Sequence, residues 1–172
     1  MEENSTVTVD ELILELSLAS NQPIGAGSRN LYIATAAANS IYDRIKDMEV
    51  KQLRTYQWTV PPLLEVLILD ADHPLTAKAA LVLRGLMPSR ICIARLIECN
   101  GLKYITQVLD ILLARNLIDM KVLCTPRSIV ENLIVCYREI ARYYPWDIVN
   151  AGAIRHGVML LKYGDVMIQT IM

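Results

Sequence analysis

Phenylalanine is missing altogether from these 172 residues, and glycine and proline contribute only seven each. Low-complexity and collagen-like chains need far more of both. Histidine occurs twice, at His73 and His156, too far apart in sequence to suggest a local ligand pair. The four cysteines, at 92, 99, 124 and 136, show no C-x-x-C spacing. Neither a zinc site nor a disulfide framework follows from that pattern. Reduced thiols in a cytoplasmic or nuclear compartment are the simpler expectation. An excess of charge of one sign is also lacking: 17 Lys and Arg stand against 18 Asp and Glu. That balance argues against a dedicated nucleic-acid binder and an electrostatic membrane anchor. No apolar run reaches the ~20 residues that span a bilayer. Met1 to Thr6 is acidic and polar, unlike a secretory signal, so the sequon Asn4-Ser5-Thr6 carries no meaning here.

Catalytic signatures are equally scarce. Gly25-Ala26-Gly27-Ser28 starts like a phosphate-binding glycine loop but lacks the third glycine and a preceding strand, so it reads as a turn. No carboxylate pair sits in an apolar setting that would tune it for acid–base work. His156 has no acidic or cysteine partner at ligand spacing. Cys92 and Cys99, seven apart, read as small buried hydrophobes. The expectation is a non-catalytic protein without cofactor or metal.

What the chain has is apolar content in helical register. Hydrophobic residues make up 53%, with a mean hydropathy of +0.32, too apolar for disorder. Ala34, Ala37, Ala38, Ile41 and Ile45 follow the i, i+3, i+4, i+7 stripe. Leu75, Ala79, Val82, Leu83 and Leu86 repeat it, as do Leu102, Ile105, Val108, Leu109 and Leu112, and Ile129, Leu133, Cys136 and Ile140. No hairpin pattern competes, so the fold class is all-α. Pro74 and Pro126 open stripes, Pro61-Pro62 precedes one, and Pro88 and Pro145 follow stripe ends. Thr8 with Glu11 reads as a capping box, and His73 as part of the next helix start.

The stripes recur. Thr35 to Ile41 resembles Thr76 to Val82, 41 residues on; Leu63 to Leu67 resembles Ile105 to Leu109, 42 on. Glu98 to Leu102 resembles Val149 to Ala153, 51 on, which implies an insertion at the apolar segment Leu117 to Leu123. A period of about 40–47 residues built from two or three helices is that of α-solenoids. The segments Ile91 to Leu102, Asp147 to Ile154 and His156 to Leu161, with the long helix Thr76 to Leu86, resemble the armadillo repeat family from about Val9 onward. The resemblance implies a right-handed solenoid of about three and a half three-helix units, near 8–57, 58–100, 101–151 and 152–172. The third helices fall near 30–46, 75–87 and 127–143, with a fourth starting at Asp165. It also implies a protein-binding scaffold or adaptor. A structural subunit of a ciliary or cytoskeletal assembly, or a docking segment of a longer protein, is the alternative. The Trp–Asn ladder of the family's peptide clamps is absent: the slots hold Leu81 and Gly85, then Val135 and Glu139.

Candidate contact residues follow. Arg44, Arg84 and Arg138 share one column of the third helices, suited to an acidic or extended protein segment, or else to local ion pairs such as Arg138 with Glu131 and Glu139. Tyr137, Arg142, Tyr143, Tyr144 and Trp146 form the densest aromatic and basic cluster, either a contact surface or filling between units. Trp58 with Tyr56 reads as core. The last helix starts late and offers Val166, Ile168 and Ile171, an apolar edge for self-association or for completion by another chain.

Overall fold

The computed structural model describes residues 7–20, 28–69, 73–116 and 124–163. Among them every regular element is helical. Helix α1 spans Val9–Ser20, α2 Ser28–Ile45 and α3 Val50–Leu53, which runs into a 3-10 turn at Arg54–Thr59. Then come α4 (Val60–Leu67), α5 (Pro74–Leu86), α6 (Arg90–Glu98), α7 (Gly101–Asn116), α8 (Cys124–Ala141), α9 (Pro145–Asn150) and α10 (Ala153–Tyr163). The long helices expected near 30–46, 75–87 and 127–143 are α2, α5 and α8. The insertion at Leu117 to Leu123, the helix start at Asp165, the edge of Val166, Ile168 and Ile171, and the Gly25–Gly27 turn lie outside the described residues.

Local chemistry sets the helix starts. The backbone N–H of Thr8 donates to Glu11 Oε2 at 2.6 Å, and Glu11 N–H donates back to Thr8 Oγ1 at 3.3 Å. This closes the expected capping box, and the Thr8 N–H holds the Glu11 carboxyl below its usual range. His73 caps α5, its Nδ1 accepting the Leu75 N–H at 3.0 Å, so the neutral ring carries its proton on Nε2. Pro74 and Pro145 occupy first-turn positions, where a missing N–H costs nothing. Pro61 and Pro62 do not precede α4 but lie within its first turn, for the same reason.

The turns after α6 and α9, which match in sequence 51 residues apart, use different backbone solutions. After α6 the left-handed residue is Asn100, with φ 55, and Gly101 then opens α7. After α9 it is Gly152 itself, with φ 83. Gly101 is required for space instead of conformation: an added Cβ would sit 2.5 Å from Leu96 Cγ and 2.8 Å from the Leu96 carbonyl oxygen. Gly152 has nothing within 4 Å of such a Cβ, so only its φ selects glycine.

Packing links successive elements in two series. Helix α1 packs on α4, α4 on α7 and α7 on α10; α2 packs on α5 and α5 on α8. Ala34, Ala37, Ala38, Ala79 and Ala80 are buried in the second series, and a Cβ on Gly85 would lie 2.9 Å from Ile45 Cδ1. Small residues therefore set the close approach of α2 and α5. Polar ties span the same series: Lys78 Nζ lies 5.2 Å from the centre of the Tyr42 ring, and Arg84 donates to Asn132 Oδ1 at 3.1 Å. Leu63, Ile105 and His156 occupy equivalent inward positions on α4, α7 and α10, all buried.

Candidate functional site: an arginine–aromatic strip across α6

Helix α6 turns Cys92, Ile93 and Leu96 inward. At 100° per residue the opposite face carries Arg90, Ile91, Ala94, Arg95 and Glu98. Of these, Arg90, Ile91 and Glu98 are exposed. The two edges of that face are closed by rings from neighbouring elements. On one side the Arg95 guanidinium lies 4.3 Å from the centre of the Trp58 ring, and its Nη1 donates to Glu98 Oε2 at 3.1 Å. Among the described residues the buried Arg95 Nε has no acceptor, so stacking and one ion pair fix this group. On the other side Arg90 lies 5.4 Å from the centre of the Tyr143 ring and makes no ion pair among the described residues. Helix α9, which follows Tyr143 in the chain, carries Trp146 at 76% exposure and the exposed Val149 one turn on.

The exposure of both tryptophans corrects the expectation of Trp58 as core and removes the filling alternative for Trp146. In the 3-10 turn, residues three apart share a face. Tyr56 and Thr59 take the inward face, which leaves Trp58 54% exposed instead of in the core. In α9 the inward residue is Ile148, and Trp146, two positions earlier, points away from it. Trp146 therefore fills no space in the packed interior.

The arginine column on α2, α5 and α8 is engaged internally. Arg44 donates to the Val7 carbonyl at 2.6 Å, Arg84 bonds Asn132, and Arg138 pairs with Glu139 at 3.3 Å. Arg142 pairs with Glu139 as well. Tyr137 is 8% exposed, so its ring belongs to the core and not to the surface. Thr106 Oγ1 donates to the Ala151 carbonyl at 3.1 Å and so accepts from Tyr137 Oη at 2.8 Å. Burial pushes the Tyr137 phenol up to about 12. Tyr144 is half-buried against the core.

His156 has no acidic partner at local spacing, as expected, but gains one from a different helix. Buried to 1% exposure, its Nε2 lies 2.9 Å from Asp110 Oδ1 on α7, and the exposed Arg155 pairs with the same carboxylate. An ionised carboxylate only accepts, so His156 Nε2 carries the proton. Its Nδ1 is buried without a partner among the described residues, and its ring stacks on Tyr137 at 6.2 Å. The His156 hydrogen bond, with lesser help from Arg155, outweighs desolvation and holds the Asp110 carboxyl below its usual range. The surrounding hydroxyls of Thr106 and Tyr137 are committed to each other and to a carbonyl, so the pair acts as a clasp between α7 and α10.

The Cys92 and Cys136 thiols are unsuited to nucleophilic work at neutral pH. Burial pushes Cys136 up to about 12 and raises Cys92, whose Sγ lies 3.4 Å from the Leu53 carbonyl. Cys99 lies just past α6 and is half-buried instead of buried. Among the described residues no group of three His, Cys, Asp or Glu side chains is disposed to hold a metal, and no helix is long and apolar enough to cross a membrane. Two open hollows of about 260 and 590 Å³ adjoin along α7, sharing Lys103, Asn150 and Ala151. Comparison with models of known protein families, with curated proteins and with solved structures finds no match.

Proposed function

We propose that this chain is an armadillo-type α-solenoid that acts as a non-catalytic protein-binding scaffold or adaptor, and that the strip across α6 is its contact face. The observation that carries the reading is the strip: Arg95 stacked on Trp58 and Arg90 on Tyr143, across a face of α6 whose opposite side is packed on a buried frame. Trp, Tyr and Arg are the residue types enriched at binding hot spots. Rings locked against guanidinium groups lose little rotamer freedom on contact. The solenoid reading is supported by the two series of neighbour packing and by junctions that recur at the repeat period. The free thiols of Cys92, Cys99 and Cys136 suit a reducing, cytoplasmic setting.

The test compares affinity capture by the intact chain with capture by the double variant Arg90→Glu, Trp58→Ala. Both side chains are exposed, so the variant should keep its helical spectrum and melting temperature. The expected result is a defined set of proteins retained by the wild type and lost from the variant. Retention of the same set by a folded variant would overturn the reading.

A further inference from the structure

We infer that the outer faces of α1 and α10 pair head to tail, so that a second copy of this chain continues the α1–α4–α7–α10 series. This goes beyond the strip on α6 and uses other elements. In that series α4 and α7 each have a neighbour before and after, whereas α1 and α10 have one neighbour each among the described residues. Helix α1 turns Leu12, Leu16 and Ala19 inward. At 100° per residue the opposite face carries Asp10, Glu11, Leu14 and Leu18, all exposed, Leu14 to 65%. Helix α10 turns Ala153 and His156 inward, and Ile154 and Val158 lie on the opposite face at 59% and 60% exposure. Each terminal helix of the series therefore shows an i, i+4 apolar pair back to back with its buried stripe. Stacked helical arrays ordinarily close their ends with polar faces, so two apolar ends call for cover. Charge selects which end meets which. Helix α1 carries Asp10, Glu11 and Glu15 and no base, and the first basic residue of the chain is Arg29. Helix α10 carries Arg155 and Lys162 and no acid. Arg155 also pairs with Asp110, but α10 still sets no carboxylate of its own against α1. A contact of α1 with α1 would face carboxylates with carboxylates, and one of α10 with α10 would face bases with bases, both costly. A head-to-tail contact uses two different faces, so each added copy leaves one face open for the next.

The experiment is sedimentation velocity of the full chain over about 1–200 μM. The average mass should climb past dimer as concentration rises. Two variants separate the faces: Leu14→Gln, Leu18→Gln on α1, and Ile154→Gln, Val158→Gln on α10. Each alone should weaken association about tenfold or more. All four side chains are exposed, so helical spectrum and Tm should hold. An equimolar mixture of the two variants should recover association as a dimer that grows no further, because each variant keeps the face the other lacks. A mixture no stronger than either variant alone would overturn the inference. A wild type that stops at dimer, with only one of the variants impaired, would assign a symmetric contact and overturn it as well. A wild type that stays monomeric throughout would also overturn it; if Ile154→Gln, Val158→Gln then lowers Tm, residues 164–172 are the cover of α10 instead. Neither variant alters the strip on α6, so capture tests that face separately.

Discussion

Substituting Gly101 by alanine sets two effects of opposite sign against each other. Gly101 opens a 16-residue helix without a left-handed φ. On backbone grounds alone alanine should stabilise the protein by about 0.4–1 kcal/mol, because glycine leaves the unfolded chain more freedom. The structure opposes this. The new Cβ would lie 2.5 Å from Leu96 Cγ, 2.8 Å from Leu96 Cδ2 and 2.8 Å from the Leu96 carbonyl oxygen. Two of those atoms belong to a buried side chain and the third to the backbone of α6, so no cheap rotation clears the contact. Overpacking of this kind costs about 1–3 kcal/mol. The steric cost exceeds the entropic gain, and Gly101→Ala should destabilise by about 1–2 kcal/mol, lowering Tm by about 2–8 °C. Urea unfolding followed by circular dichroism should show a lower midpoint at unchanged slope. Leu96→Ala should cost about 2–5 kcal/mol alone. The double variant should cost less than the sum, since the new methyl enters space that Leu96 vacates. A Tm equal to or above wild type for Gly101→Ala would refute the close-contact argument.

Two further outcomes test the second junction and the clasp. Gly152→Ala should destabilise by about 1–2 kcal/mol through its left-handed φ, although nothing crowds it, and Gly152→Asn should cost clearly less because asparagine tolerates that region, as Asn100 does; thermal melts of both variants check the order. Asp110 titrates below its usual range in the folded protein, so its contribution is present above the unfolded value near ~3.9 and is lost as pH falls through the lower folded value. The destabilisation caused by Asp110→Asn should therefore be visible at pH 6 and shrink toward zero at the acid end of a denaturation series, and a pH-independent difference would count against the clasp.

Helix positions are legible in the sequence because the apolar stripes and proline placements are local signals. Thr8 with Glu11, His73 before Pro74, and the alanine-rich stretches of α2 and α5 all behave as their spacing predicts. The junctions are legible only in part. Sequence matching pairs Gly101 with Gly152, and burial keeps that register, since Leu102 and Ala153 are both inward. The left-handed residue, however, is Asn100 in one case and Gly152 in the other, a one-residue slip that no propensity rule reveals. The role of His156 escapes local spacing because its partner, Asp110, lies 46 positions away on another helix. Its equivalence to Leu63 and Ile105 is the available signal: a histidine in a buried apolar column needs a polar partner. The strip is not visible in the column of Arg44, Arg84 and Arg138, because Trp58 is set outward by a 3-10 turn whose facing depends on tertiary packing.

The neighbour-to-neighbour packing of α1–α4–α7–α10 and α2–α5–α8 bears on how the protein comes apart. Substantial contacts among the described helices join one element to the next in each series, so the loss of α9 and α10 removes their contacts with α7 and α8 and leaves those of α1, α2, α4 and α5 intact. Opening can then begin at one end and stop partway. Amides in α10 should exchange with solvent sooner than those in the centre of α5, which is held on both flanks. Heating followed at Trp146 should then give a lower midpoint than heating followed by overall helicity.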